Sequence, residues 1–258
     1  MKRFITCLLV LVGISQVYGQ IPESETRLGI FVRETVFRVS PKHAAEWEAA
    51  VRDISTAAAK SNSSVHNWLL YKAGPFVYWM IQFSETLDSI PTEMSFHSAF
   101  ADLAGAQDYL NALSRLLKTD FEITRDIICQ QDSYWSTVAE MSTDTHPKAR
   151  VSDYWVRPGD EDAFDKLQKQ LTSLLVEIGY PFPVESFRPR FGAPRVSQVV
   201  TFADSWESFH GANSLDALAN EAGKLNELDA LRTRRASLVL REVHHDLDFE
   251  PSLSYGAE

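Results

Sequence analysis

The tripeptide Ser-Phe-His occurs twice in this chain, in SFHSAF at residues 95–100 and in SFHGAN at residues 208–213. Such a repeat is expected either from two matching ligands or from two copies of one ancestral domain, and the two explanations are compatible. Self-similarity at a fixed spacing is the usual mark of duplicated architecture. The sequence on either side of each copy favours duplication of a whole domain.

Each copy stands in the same order of predicted elements. The first half opens with the extended run LGIFVRETVFRV (28–39), and the second with RVSDYWV (150–156); β-branched and aromatic residues make both runs typical of strands. A helical stripe follows in each half. The first stripe contains Trp47, Val51, Ile54 and Ala58, and the second contains Phe164, Leu167, Leu171, Leu174 and Ile178. Gly179 is expected to end the second of these helices.

The remaining elements also correspond. Two extended runs flank Ala73-Gly74-Pro75 in the first half and Gly192-Ala193-Pro194 in the second, which predicts one hairpin in each. A helical segment with Ser-Phe-His comes next, and its second copy has a single stripe of Leu215, Leu218, Ala222, Leu225 and Leu228. Closing strands follow at FEITRDIICQ (121–130) and ASLVLREVHH (236–245).

The order β-α-β-β-α-β, found twice, predicts an α+β fold of two ferredoxin-like halves. We assign residues 28–131 to the first half, 132–149 to a linker, 150–246 to the second half and 247–258 to a C-terminal tail. A single unit places both helices on one face of its sheet and leaves the other face bare. The two halves are therefore expected to pack sheet against sheet as a pseudo-dimer within one chain.

This element order, the aromatic strands and the Phe-His in the second helix resemble the dimeric α+β barrel superfamily, here as a tandem duplication. That superfamily includes antibiotic-biosynthesis-type monooxygenases and NIPSNAP-like proteins. The resemblance covers nearly the whole chain after the leader but includes no diagnostic catalytic motif. It implies a fold, whereas function depends on the site that a fold carries.

The resemblance makes His97 and His210 candidate ligand-binding residues, because a helix histidine binds haem iron in some members of the superfamily. Simple inheritance of a packed Phe-His pair is the alternative. Trp68, Tyr78 and Trp79 make the first hairpin unusually aromatic, which is typical of an apolar ligand cavity or of a sheet-on-sheet core. We predict no cofactor and no metal, and keep haem as an alternative.

The N-terminus predicts export. Lys2 and Arg3 precede the apolar run FITCLLVLVGI, and Val17-x-Gly19 is a cleavage pattern, so residues 1–20 are predicted to be a signal peptide. The run is too short for a membrane span of roughly 20 residues. The expected product is a secreted or periplasmic protein that begins near Gln20 or Ile21.

The remaining features exclude several classes of function. A net charge of −10 argues against nucleic acid as a partner.

Cys129 would be the one cysteine left after cleavage, and alternation places it with Phe121, Ile123 and Ile127 on one buried strand face. His244 and His245 are adjacent on a strand and must point to opposite faces, which opposes a shared metal. The arginines of RTRRASLVLR (232–241) fit a solvated helix end that runs into a strand, or an anion site.

Two functions stay open at this point. One is an exported ligand-binding or structural protein, with a small apolar ligand and a homo-oligomer as candidate partners. The other is a cofactor-independent monooxygenase-like or haem-handling enzyme.

Overall fold

The structure is a computed structural model that describes residues 30–61, 67–90, 106–132, 137, 143–192 and 196–256. The predicted signal peptide, the first Ser-Phe-His copy with His97, and Pro194 of the second hairpin turn lie outside these residues. Among the described helices, none combines the length and apolar character that a membrane crossing requires.

The described elements follow the predicted order in both halves. The first half contains β1 (Phe31–Val39), α1 (Ala44–Ser61), β2 (Trp68–Lys72), β3 (Val77–Ser84), α2 (Ala106–Leu116) and β4 (Phe121–Gln131). The second contains β5 (Lys148–Val156), α3 (Glu161–Glu177), β6 (Val184–Phe191), β7 (Val196–Ala203), α4 (Trp206–His210), α5 (Leu215–Glu221), α6 (Leu225–Leu238) and β8 (Val239–Phe249). The prediction of an α+β fold with two ferredoxin-like halves is confirmed.

All eight strands form one closed antiparallel barrel in the order β1-β3-β2-β8-β5-β7-β6-β4. Each half contributes four neighbouring strands, and the halves join where β2 pairs with β8 and β4 pairs with β6. The bare faces of the two sheets meet inside this barrel. Side chains there come from both halves and include Val32, Leu69, Val151, Val200 and Leu247.

Outside the barrel, the helices of each half cover the outward face of its own strands, and the two helix–sheet spaces are filled differently. In the first half, the Trp47 and Tyr78 rings pack at 4.4 Å between centroids. The residues after β8 also enter this space. Leu253 is 1 % exposed, and its carbonyl oxygen accepts hydrogen bonds from Trp68 Nε1 at 2.9 Å and Ser55 Oγ at 3.0 Å. The end of the chain therefore fills the first half.

Among the described residues, no segment from the other half enters the helix–sheet space of the second half, whose helical cover is divided. The prediction of a single helix after β7 is wrong, because the chain forms α4, α5 and α6 there. Gly211 ends α4, Gly223 follows α5 with φ +68°, and Ser214 Oγ accepts the Ala217 N–H to begin α5. By contrast, Gly179 does follow α3, with φ +64°, as predicted.

One face assignment in β4 is also wrong. The pairing of β1 with β4 shifts between Val36 and Phe37, which inserts one extra residue into β4 near Thr124. A bulge reverses which residues face inward. Consequently Ile127 and Cys129 point into the barrel, whereas Phe121 packs against Phe37 on the helix side and Ile123 is exposed.

Candidate functional site

A cavity of about 300 Å³ lies between the helices and the outward face of the strands in the second half. Its floor is formed by alternate residues of β5, β6, β7 and β8, and its walls by α3, α4, α5 and α6. The walls are partly apolar, with Leu171, Leu175, Phe209 and Leu215 among the lining side chains. Its volume is at the lower end of the range found for ligand sites, roughly 300–1,000 Å³.

Cross-strand pairing brings polar side chains together on the floor of this cavity. Ser152 on β5 pairs with His244 on β8, and Tyr154 pairs with Glu242. Residues two apart on a strand share a face, so all four side chains lie on the helix side of the barrel. Ser152 Oγ is 2.9 Å from His244 Nδ1, and His244 Nε2 is 3.2 Å from Glu242 Oε1.

Two arginines, one on the floor and one on the wall, lie beside these side chains. Arg235 of α6 donates to Glu242 at 3.2 Å, and its guanidinium lies 4.9 Å from the centre of the Tyr154 ring. Burial raises the pKa of Tyr154 to about 12, so its hydroxyl stays protonated at neutral pH. Arg150 forms a two-pronged ion pair with Asp246 and lies over the Phe209 ring.

The cations that line the cavity all have carboxylate partners. Arg150 pairs with Asp246, Arg235 with Glu242, and Arg232 with Asp216. Each pair cancels most of the charge that an anion would otherwise meet. The site therefore does not have the excess positive charge of a phosphate or sulfate site.

One donor in the wall has no partner. Gln168 of α3 is 5 % exposed, and its Nε2 makes no hydrogen bond within the described part of the chain. A buried amide without a partner costs about 1–3 kcal/mol. Other buried atoms of the described residues also lack a partner, but Gln168 Nε2 is the one among them that lines this cavity, where a ligand with an acceptor oxygen would satisfy it.

Solved structures of similar fold cover most of the chain. A putative monooxygenase from Fusobacterium nucleatum has a TM-score of 0.56 at 8% identity, over 87% of this chain and 94% of its own. An anthrone oxidase-like protein has a TM-score of 0.52 at 11% identity, over 90% and 95%. The chain has the dimeric α+β barrel fold.

A chlorite dismutase variant from Candidatus Nitrospira defluvii matches this α+β barrel with a TM-score of 0.51 at 10% identity, over 88% of this chain and 93% of its own. No protein-family model and no curated protein matches the sequence. Identities this low support the shared α+β barrel and leave the chemistry to the site itself.

The α+β barrel separates the residues that the sequence proposed for a site. His210 lines the cavity of the second half, at the end of α4. Trp68 and Tyr78 are buried in the helix–sheet core of the first half, and Trp79 faces the barrel interior. His97 lies outside the described residues, so its equivalence to His210 stays a prediction.

Sequence reasoning missed Ser152, Gln168 and Glu242. The alternation of RVSDYWV does place Ser152 on the same face as Tyr154, and Glu242 is two residues before His244. Those intervals indicate a shared face on each strand. They do not give the pairing of β5 with β8, which brings the two faces together.

The histidines that line the cavity already contact other side chains through nitrogens that could bind haem iron. Haem iron needs an imidazole lone pair. His210 Nε2 lies 3.5 Å from Arg150 Nη2, which can only donate. His244 Nδ1 is 2.9 Å from Ser152 Oγ, and His244 Nε2 is 3.2 Å from Glu242 Oε1. Haem ligation by either histidine would therefore displace one of these contacts.

A second polar cluster lies inside the barrel, apart from the cavity. Arg125 forms ion pairs with Glu34, at 3.4 Å, and with Asp153, whose Oδ1 is 3.2 Å from Arg125 Nη2. Gln198 Nε2 donates to both carboxylates at 3.2 Å. Trp79 lies between this cluster and His245, 5.2 Å from the guanidinium and 5.0 Å from the imidazole. His244 and His245 thus face opposite sides of β8, as predicted.

Proposed function

We propose that the protein binds a small, neutral molecule with an acceptor oxygen in the cavity of the second half. The unpartnered Gln168 Nε2 is the observation that carries this proposal. The apolar walls would hold the body of the ligand, and the paired arginines would give an anion little advantage. Anthrone, a tricyclic ketone with one carbonyl oxygen, has this chemistry and serves as the probe. The name of the anthrone oxidase-like structure adds support to this choice.

Gln168→Leu tests the role of the buried amide. The substitution removes a polar group that has no partner in the free protein, so the free energy of unfolding should rise by about 1–2 kcal/mol. Anthrone should bind about fivefold more weakly, because a hydrogen bond worth about 1 kcal/mol is lost. Chemical denaturation and fluorescence titration measure the two effects.

Gln107→Leu is the matched control, since Gln107 is an exposed glutamine on α2 of the other half. It should change neither anthrone affinity nor stability by more than about 0.5 kcal/mol. Failure of the wild-type protein to bind anthrone, or equal affinity in the Gln168→Leu variant, would contradict the proposed ligand class.

Oxygenation of the same ligand class is the second candidate, supported by similarity to structures described as monooxygenases. Anthrone and O₂ would give anthraquinone and water, with no external reductant. An oxygen electrode separates this reaction from binding alone.

A haemin titration addresses the haem alternative, and we expect no absorbance change that depends on His210. A band lost in a His210→Ala variant would overturn this expectation.

We further propose that the protein is exported after cleavage of residues 1–20. The basic start, the apolar run and Val17-x-Gly19 support the proposal. Mass spectrometry of protein recovered outside the cytoplasm should find a mature N-terminus at Gln20 or Ile21. Recovery of a chain that begins at Met1 would argue against cleavage. Homo-oligomerisation stays a prediction.

A further inference from the structure

The floor of the cavity contains a serine, a histidine and a carboxylate side by side. Ser152 Oγ and His244 Nδ1 form a hydrogen bond at 2.9 Å, and His244 Nε2 lies within ion-pair distance of Glu242 Oε1, at 3.2 Å. The three residue types and their order are those of a nucleophile, its general base and the group that orients the base. Relative to the common triad, the two imidazole nitrogens exchange roles.

The proton positions follow from the chemistry of the partners. A carboxylate only accepts hydrogen bonds, so the nearby Glu242 carboxylate favours the His244 tautomer that carries its proton on Nε2. The lone pair of Nδ1 then faces the Ser152 hydroxyl, which can donate to it. Arg235 Nη2 donates to the same oxygen, Glu242 Oε1, at 3.2 Å. His244 is thus set in the tautomer that a general base requires.

Access and charge stabilisation are both available at this position. Ser152 is 7 % exposed, yet it lines the cavity, as do His244 and Glu242. The buried Gln168 Nε2 lines the same space and has no partner within the described ranges. Such an N–H group can donate a hydrogen bond to a carbonyl oxygen under attack and stabilise the negative charge that develops on that oxygen.

We propose that Ser152 is a nucleophile that transfers acyl groups from small aryl or alkyl esters, with His244 as base and Glu242 as the positioning residue. Ser152 Oγ bonds to the ester carbonyl carbon while its proton passes to His244 Nδ1. The C–O bond to the alcohol then breaks, and the alcohol takes that proton. Water hydrolyses the acyl-serine by the same route in reverse, which yields the acid and restores the hydroxyl. This inference rests on the cavity of the proposed function and adds a reaction to it.

A fluorophosphonate probe tests the nucleophile without knowledge of the ester. Serine attacks phosphorus, fluoride leaves, and the adduct adds a fixed mass to one peptide. We expect the adduct on Ser152, no adduct in Ser152→Ala, and labelling slower by about 100-fold or more in His244→Gln. Glu242→Gln should slow labelling less than His244→Gln and shift its pH profile.

Two matched variants serve as controls. Ser197→Ala removes a serine on β7 that is also 7 % exposed but does not line the cavity. His245→Gln changes the neighbouring histidine, which faces the barrel interior. Both should be labelled at the wild-type rate, and circular dichroism should verify that every variant folds.

The result can be separated from ligand binding. The anthrone titration uses the wild-type protein, and its result does not depend on formation of the adduct. A wild-type protein that binds anthrone but gives no adduct on Ser152 would overturn the nucleophile and leave the binding site. If the His244→Gln variant is labelled at the wild-type rate, the proposal that His244 is the base is overturned. Labelling without anthrone binding would refute the proposed ligand class alone.

Discussion

Replacement of Arg125 by methionine should lower the free energy of unfolding by about 3–5 kcal/mol at pH 8, because it leaves two buried carboxylates without their cation. Glu34 and Asp153 are 3 % and 1 % exposed, and both bind the Arg125 guanidinium. After the substitution they would face each other across the barrel interior, with Gln198 as their shared donor. Urea denaturation measures the loss.

Arg38→Met is the matched control for the removal of an arginine from an ion pair. Arg38 and its partner Glu122 have side chains that are 64% and 61% exposed, and such pairs contribute at most about 1 kcal/mol. Equal losses in the two variants would contradict the importance of the buried cluster. A triple variant that also carries Glu34→Gln and Asp153→Asn should recover much of the stability, since it no longer buries an uncompensated charge.

The second large effect is a pH dependence that Glu34→Gln should remove. Burial raises the pKa of Glu34 to about 7 from its ordinary value of 4.5, despite the opposing influence of Arg125. Between these two values the folded protein retains a proton that the unfolded chain has released. Raising the pH through this window therefore lowers the free energy of unfolding, by about 3 kcal/mol in all.

Glutamine retains the shape of the protonated acid and cannot ionise. The Glu34→Gln variant should therefore match the wild type near pH 4 and exceed its stability by about 3 kcal/mol at pH 8. Glu122→Gln, at an exposed position, should show no such divergence. Parallel stability curves for the Glu34→Gln variant and the wild type would contradict the raised pKa.

His245 has the opposite sign in an overlapping range. Burial lowers its pKa below the ordinary value of 6.5, so the stability that its neutral form contributes is lost as the pH falls. For this reason the test compares the variant with the wild type at each pH rather than reading the wild-type curve alone. A His245→Gln background would separate the two groups further.

The sequence predicted the elements of this fold because periodicity reports burial directly. Strands such as β1 and helices such as α3 have residues that repeat at their own spacing, and the duplicated order fixed their arrangement. Composition did not predict the bulge near Thr124, because one extra residue in β4 has no mark in the sequence. The division of the last helical segment was readable in principle from Gly211, Ser214 and Gly223.

The site was less accessible to prediction. The repeated Ser-Phe-His predicts His210 as a site residue, and His210 lines the cavity. Ser152 and Gln168 are common residue types, and no motif in the sequence marks them. Their role in a site depends on the pairing of the strands and on the cavity that the surrounding side chains leave open. The aromatic residues of the first hairpin indicate either a ligand cavity or a core. Trp68 and Tyr78 are buried in the core.

The end of the chain shows how two ferredoxin-like halves in one chain differ from two identical subunits. In a symmetric pair, every substitution appears twice, so both helix–sheet spaces must be open or both must be closed. In the fused chain, Leu253 from beyond the second half packs into the first half. One half can then evolve toward tight packing and carry the stability of the whole, while the other tolerates an open, polar and energetically costly interior.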